Sequence, residues 1–370
     1  MMLSFVLLGV KPKKAFLAEY ILEKIFIAVE DDRMKRRLRP RLADIALAAG
    51  VSLATASRSL AQPEIVSPDT RARVRAAALR LGGPHALDAA RALPGSGVAA
   101  IVPTLDNPIF ARALQAMQAV LTEAGHHLLV ASSNYQPEIE LSVLRGLLAR
   151  GVDGVILVGA QRSPEAWEVL ETAGVPVILT WCDDPRFDAV VVDNQAAGRL
   201  AADHLISLGH RRLGMVCGAM RHNDRQRARM EGVREGLAAA GLDLPDWRVV
   251  EQEFTLAGGR TGCAALLALA DPPTAIICGI DQLAVGCLVE AQSRGLVVPG
   301  ELSVVGIDNL EMAAHLSPAL TTVHIPTARI GAEAAGLILD RLRGEASERL
   351  VQLPIELVVR RSSSAPRALR

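Results

Sequence analysis

From Ser52 to Arg58 the chain carries Ser52, Leu53, Ala54, Thr55, Ser57 and Arg58, a run of small side chains and hydroxyls with one guanidinium. On a helix this run gives a slim leading turn with a cation behind it, a shape and chemistry suited to a DNA major groove. The flanking sequence supplies the elements that would hold it. Leu42, Ile45, Ala46 and Ala49 recur at helical spacing, so a first helix is predicted over Leu42–Ala49. Gly50-Val51 ends it, because a tight turn with positive φ is cheapest at glycine. Ser52 then caps a second helix, about Leu53–Leu60. Ser67 and Pro68 supply the N-cap and first position of a third helix, which stops at Gly82-Gly83. A helix, a glycine turn and a second helix that opens on small polar residues make a helix-turn-helix. An ordinary helical hairpin would share that pattern, and charge separates the two readings. The chain has no net charge, yet Arg33–Arg80 holds 11 basic and 3 acidic residues. A small basic module on a mildly acidic body is a nucleic-acid signature.

The remainder has a different rhythm. Half of the 370 residues are hydrophobic and only 3% are aromatic, so the core must be built from Ala, Leu, Val and Ile. After Pro94-Gly95-Ser96-Gly97, which reads as a linker, apolar strands alternate with amphipathic helices. Strands are predicted at Val98–Val102, His127–Val130, Gly154–Val158 and Val175–Leu179, with helices at Ala111–Ala124 and Leu141–Arg150. The rhythm restarts at Arg212–Cys217 and continues through Ala228–Ala240, Ala275–Cys278, Ala284–Arg294 and Leu302–Ile307. A helix at Ala328–Arg343 and one strand at Leu350–Val359 follow. Two similar α/β lobes are expected over residues 98–360, each a parallel sheet with helices on both faces, then a disordered tail at 361–370. Residues 1–33 read as an extension upstream of a natural start at Met34, dispensable for folding and binding. Met1–Val10 is apolar but too short to span a membrane, and it has neither a basic leader nor a cleavage site. The five cysteines are scattered and never form CxxC, which suits reduced core residues in a cytoplasmic protein and no zinc site.

The segment LADIALAAGVSLATASRSL at Leu42–Leu60, continued by VSPDTRARV at Val66–Val74, resembles the lactose/galactose repressor family of bacterial transcription regulators. The shared pattern is Ala46, Ala49-Gly50-Val51-Ser52, Thr55, Ser57-Arg58 and Leu60, and the resemblance runs to about residue 360. It implies a small all-α helix-turn-helix headpiece (34–83), a hinge helix and linker (84–97), and a two-lobed α/β domain like that of periplasmic binding proteins (98–360). It implies that Leu53, Ala54 and Arg58 face base edges, Arg58 pairing with guanine, although Leu53 could instead pack in the headpiece core. Ser52, Thr55 and Ser67 are placed for phosphate contacts. Leu87–Leu93 resembles the family's hinge helix, in which a leucine, here Leu93, wedges into the minor groove. The run before it, Leu81–Asp88, lacks the family's tyrosine and is longer.

The resemblance also implies a ligand cleft at the carboxyl ends of the strands. IVPTLDNPIFARAL at Ile101–Leu114 places Asn107 and Phe110 there, although Asn107 could simply start a turn before Pro108. Ser132 and Tyr135 in SSNY end the next strand, and Trp181 follows Val177–Thr180, where it either stacks on a sugar or fills the core. Arg229, three residues before Gly232, matches the family's ligand arginine, Phe254 a stacking position that core packing explains nearly as well, and Asp308 the aspartate that holds effector hydroxyls. Ile280 stands where several relatives have a polar residue. No GxGxxG, phosphate loop, GxSxG or HExxH is present, and Asp308 with Arg229 makes a binding pair without a nucleophile. The sequence therefore predicts a non-enzymatic, cofactor-free and metal-free homodimeric repressor in the cytoplasm, associated with the nucleoid. Its expected partners are inverted-repeat double-stranded operator DNA and a sugar or sugar acid such as gluconate, with no membrane. A periplasmic-type sugar-binding protein is the alternative; it would need a signal peptide and have no basic headpiece.

Overall fold

A computed structural model describes residues 42–61, 65–82, 97–345 and 349–367. The chain divides between Pro94 and Gly95 into two units. Residues 1–33, residues 84–96 and Leu93 of the expected hinge lie outside the described residues.

The first unit contains α1 (Leu42–Ala49), α2 (Leu53–Ala61) and α3 (Pro68–Gly82). Its small core joins Ile45 and Ala49 of α1 to Val74, Ala77 and Ala78 of α3, with Val51 against them. Ala56 of α2 is fully buried. Gly50 takes the turn at φ +63°, a conformation that strains any residue bearing a Cβ.

The second unit is built on two six-stranded sheets. The first lobe contributes β1 (Gly97–Val102), α4 (Pro108–Glu123), β2 (His127–Ser132), α5 (Pro137–Leu148), β3 (Gly154–Val158), α6 (Pro164–Glu171), β4 (Val177–Trp181) and β5 (Asp188–Val191). The second contributes α7 (Asn194–Ser207), β6 (Leu213–Gly218), α8 (Asp224–Ala239), β7 (Val249–Gln252), α9 (Leu256–Leu267), β8 (Ala275–Cys278), α10 (Asp281–Ser293), β9 (Ser303–Asp308) and β10 (Thr321–His324). The chain then returns to the first lobe with α11 (Thr327–Arg343) and β11 (Leu350–Gln352), and crosses again to β12 (Glu356–Val358). Strand order is β11-β5-β4-β3-β1-β2 in one sheet and β12-β10-β9-β8-β6-β7 in the other. Every pairing is parallel except β10 with β12. Central strands such as β3 and β8 are buried along their whole length, as parallel strands covered on both faces must be.

Two expectations need correction. The single strand at Leu350–Val359 is two short strands, one in each sheet, joined through Leu353–Ile355 as the chain changes lobes. The tail is ordered through residue 367, because the starts of β9 and β10 offer it partners. Ser362 is fully buried: its Oγ donates to the Val304 carbonyl at 2.5 Å and accepts from the Thr321 N–H at 2.8 Å. Its own carbonyl accepts from Val304 N at 2.8 Å. Farther on, the Ser364 carbonyl meets Nε2 of the buried His210 at 2.9 Å. Polarity and arginine content hid this anchoring, which depends on strands about sixty residues upstream.

Ser362→Ala is expected to leave the Thr321 N–H buried and unpaired, and to lower stability by about 1–3 kcal/mol. Urea denaturation followed by circular dichroism measures it; an unchanged midpoint would show that the tail is not held by this residue.

Candidate DNA interface and effector cleft

In the headpiece, Ala56 and Ser59 turn inward, whereas Ala54 and Arg58 are exposed and Thr55 is half-buried. One face of α2 is therefore open to a partner. Ser52 Oγ accepts from the Thr55 N–H at 3.1 Å, the N-cap that starts this helix, and also meets Thr55 Oγ1 at 2.8 Å. Arg58 Nε donates to the Ala54 carbonyl at 3.2 Å, which lays its guanidinium along the exposed face. Ser67 caps α3 in the same way, accepting from Thr70 N at 3.4 Å. The side chains of Leu53 and Ser57 lie outside the described set.

The cleft forms where the carboxyl ends of both sheets converge, the usual ligand position in open α/β sheets. Asn107 and Phe110 come from the β1 end, Tyr135 from β2 and Trp181 from β4. Asn223, Arg225, Gln226 and Arg229 come from the start of α8, Phe254 from the β7 end and Ile280 from the β8 end. Together they enclose about 10 Å³, near the space one water needs. A sugar-sized ligand therefore enters only when the lobes part.

Arg229 is brought here by a close helix crossing. A Cβ on Gly198 of α7 would lie 1.9 Å from the Arg229 carbonyl oxygen, and one on Gly232 of α8 would lie 1.8 Å from that of Gln195. The bare backbones let α7 and α8 touch. Arg229 is 2% exposed; its Nε donates to Asn194 Oδ1 at 3.1 Å, and its Nη1 donates to the Gly279 carbonyl at 2.7 Å and to Asp308 Oδ1 at 3.4 Å. Asp308 stands one layer behind the cavity wall, at φ +127°, followed by Asn309 at φ +56°. The buried Asp281 braces this strained turn, with Oδ2 accepting from Leu310 N at 2.7 Å and Oδ1 from Thr322 Oγ1 at 2.5 Å.

Burial pushes the Asp308 carboxyl up to about 8, farther than Arg229 pulls it down. The same burial lowers Arg229. Two polar atoms in this region are buried and make no hydrogen bond: Trp181 Nε1 and Asp308 Oδ2. Trp181 belongs to the cavity wall, and its indole N–H is a donor that a ligand hydroxyl can satisfy. The aromatic residues pair with one another. Phe110 meets Trp181 edge-on at 5.6 Å, and Tyr135 stacks on Phe254 across the lobes at 5.3 Å and 20°.

Of the eight expected effector residues, Phe110, Tyr135, Trp181, Arg229 and Phe254 line the cavity, and Asp308 backs it. Asn107 also lines it, and its Oδ1 accepts from Ile109 N at 3.2 Å, so it caps α4 as well. Ser132 does not reach it; the neighbouring Ser133 faces an adjoining cavity instead. Sequence reasoning overlooked Arg225, Gln226, Asn223 and Asn194. Arg225 was findable, because it lies four residues before Arg229 and so shares its helix face. Asp224 was also missed. It crosses the lobes, its Oδ2 accepting from the Ala160 and Gln161 N–H groups at 2.6 and 3.1 Å. Among the described residues no cluster could hold a metal ion, all five cysteines are free, and no helix is long and apolar enough to cross a membrane.

The raised Asp308 carboxyl has a signed consequence. The folded state holds this proton more tightly than the unfolded chain, so its stabilisation is complete below about pH 4 and is lost as pH rises through about 8. Asp308→Asn is expected to remove that part of the decline. Urea midpoints from pH 5 to pH 8.5, compared between the two proteins, test it; parallel slopes would refute it.

Residues 41–82 match the pattern of bacterial regulatory proteins, lacI family, and residues 202–363 match a periplasmic binding protein-like domain. The HTH-type transcriptional repressor CytR of Escherichia coli K12 is 30% identical over 340 residues, covering 90% of this chain and 98% of that protein. The crystal structure of a LacI-family transcriptional regulator from Silicibacter pomeroyi superposes with a TM-score of 0.74 at 30% identity, covering 89% of this chain and all of the other. A complex of the transcriptional regulator CelR with cellobiose gives 0.66 at 29% identity, covering 88% of this chain and all of the other. These relatives are transcription regulators, not enzymes, and the match at 41–82 sets aside a periplasmic protein without a DNA-binding role. An exposed face on α2, an effector cleft between two lobes and relatives that align along nearly the whole chain lead to one conclusion: the protein is a DNA-binding transcriptional regulator that belongs to the lacI family.

Proposed function

We propose that the protein is a homodimeric repressor, resident on the nucleoid in the cytoplasm, that binds an inverted-repeat operator and answers to a sugar or sugar acid held between its lobes. The observation that carries the effector reading is the buried, unpartnered indole nitrogen of Trp181, a residue of the cavity wall. A buried donor of this kind is costly until an acceptor such as a ligand hydroxyl meets it. The aromatic walls supply faces for a sugar ring, and Arg229 supplies charge-assisted donors. The cellobiose complex of the similar regulator CelR supports a carbohydrate ligand. The dimer reading rests on size. A headpiece with one exposed helix face contacts too little DNA to bind tightly alone, and a two-fold protein matches a two-fold site.

An effector shifts the regulator only by binding one conformation better than another. Arg229→Ala should therefore abolish the response to effector while leaving operator affinity that of the free protein. A thermal-shift screen of sugars and sugar acids finds the ligand. Calorimetry of the variant, beside operator titrations at the same salt, then tests the reading; normal effector affinity in the variant would sink it.

Arg58→Ala tests the headpiece separately. Loss of a bidentate guanine contact is expected to cost about 1–3 kcal/mol at one base pair per half-site and to relax discrimination there. Binding to a library of single-base operator variants reads this out; an unchanged preference at every position would remove Arg58 from the readout.

A further inference from the structure

A cavity of about 830 Å³ lies at the other end of the second sheet from the cleft. Small-molecule sites occupy about 300–1,000 Å³, so its size is that of a ligand pocket. Arg211 and Arg212 enter it from just before β6, Thr274 from just before β8, and Glu301 and Leu302 from just before β9. Strand β9 runs six residues from there to Asp308, so about 20 Å of sheet separates this cavity from the cleft. The tail closes one side through Pro366 and Arg367.

The body of the cavity is apolar. Leu302 belongs to a buried cluster of the second lobe, and Leu267 and Leu296 pack against that cluster with part of their surface left open. Pro273 and Pro366 add to the walls. The polar groups among them already have partners. Thr274 Oγ1 is 2.8 Å from Nδ1 of the buried His210. Glu301, the acid in the lining, accepts from the Val297 N–H at 2.9 Å with Oε2 and faces Arg367 at 4.0 Å with Oε1.

The cations differ in this respect. Arg212 pairs with Asp271 at 2.7 Å, and Arg367 faces Glu301. Arg211 is exposed and makes no hydrogen bond or ion pair among the described residues. An exposed arginine by itself signifies nothing, since water satisfies it. Here it stands at the edge of an apolar cavity whose other charged groups are engaged, which gives the site one uncommitted positive charge beside a hydrophobic wall.

We propose that this cavity binds a small monocarboxylic acid with an apolar body, its chain against Leu267, Leu296 and Leu302 and its carboxylate on Arg211. A sugar has no match here, because the walls hold few free hydrogen-bonding groups. The site is separate from the effector cleft in place and in chemistry, and does not depend on that reading.

The test is calorimetry of the full chain with butanoate, hexanoate and octanoate, beside octanamide as the uncharged counterpart. Affinity is expected to rise about two- to fourfold per added methylene. Octanoate should bind about three- to fivefold more tightly than octanamide, the effect of one exposed ion pair. Arg211→Ala should bring octanoate down to the affinity of octanamide and leave octanamide unmoved, and Arg211→Lys should restore most of the difference. Leu296→Asn, its fold checked by circular dichroism, should weaken both ligands alike. Arg229→Ala, in the cleft, should change neither. The proposal is overturned if octanoate does not bind, if octanamide binds as tightly as octanoate, or if Arg229→Ala costs octanoate as much affinity as Arg211→Ala.

Discussion

A guanidinium that is 2% exposed is the constraint around which this cleft is arranged. A buried cation is tolerated only when paired and hydrogen-bonded. Arg229 meets that demand with partners from three places: Asn194 where the chain first changes lobes, Gly279 after β8, and Asp308 at the end of β9. None of these is near it in sequence, so the pair forms only when α7, α8 and the second sheet are all in place. The glycine contacts between α7 and α8 let those helices approach closely enough. Asp281, tied to Leu310 and Thr322, holds the turn that aims Asp308. The arrangement leaves the guanidinium of Arg229 in the cavity wall, with Asp308 behind it.

Legibility in the sequence followed the range of the interactions. Both helices of the helix-turn-helix were readable, because caps, the Gly50 turn and helical spacing are local signals; α1 spans Leu42–Ala49 as the spacing predicts. Buried strands such as Gly154–Val158 and Ala275–Cys278 were equally plain, since fully covered parallel strands are unbroken apolar runs. Strands β7 and β10, four residues each, were not. Val249–Gln252 is an edge strand only partly buried, and Thr321–His324 begins with two threonines that burial alone marks as core. Helix α9 escaped because LAGGRTGCAALL is glycine-rich, which argues against a helix until close packing against α10 explains it.

The site itself was legible only in part. Arg229 and Asp308 could be placed through family resemblance and Trp181 through its position after a strand, but their mutual geometry could not. Nor could the sequence separate Ser132 from Ser133, where one residue of register decides which lines a cavity. The tail misled for a related reason. Its polar residues are partners for the starts of β9 and β10, and composition records polarity without recording what it faces.

The crossings between lobes have a consequence for how such a protein can vary. The chain changes sheets after β5, after β10 and between β11 and β12, so neither lobe is a continuous stretch of sequence. A continuous stretch from α7 to β10 carries five of the second sheet's strands but not β12, so an exchange of that stretch alone leaves the sheet with a strand from the old sequence. The headpiece, by contrast, is set off by a single boundary between Pro94 and Gly95. One crossover there would give an existing sensor a new address on the chromosome, so target site and signal can diversify independently in this architecture, whereas the two halves of the sensor share strands from interleaved stretches of chain.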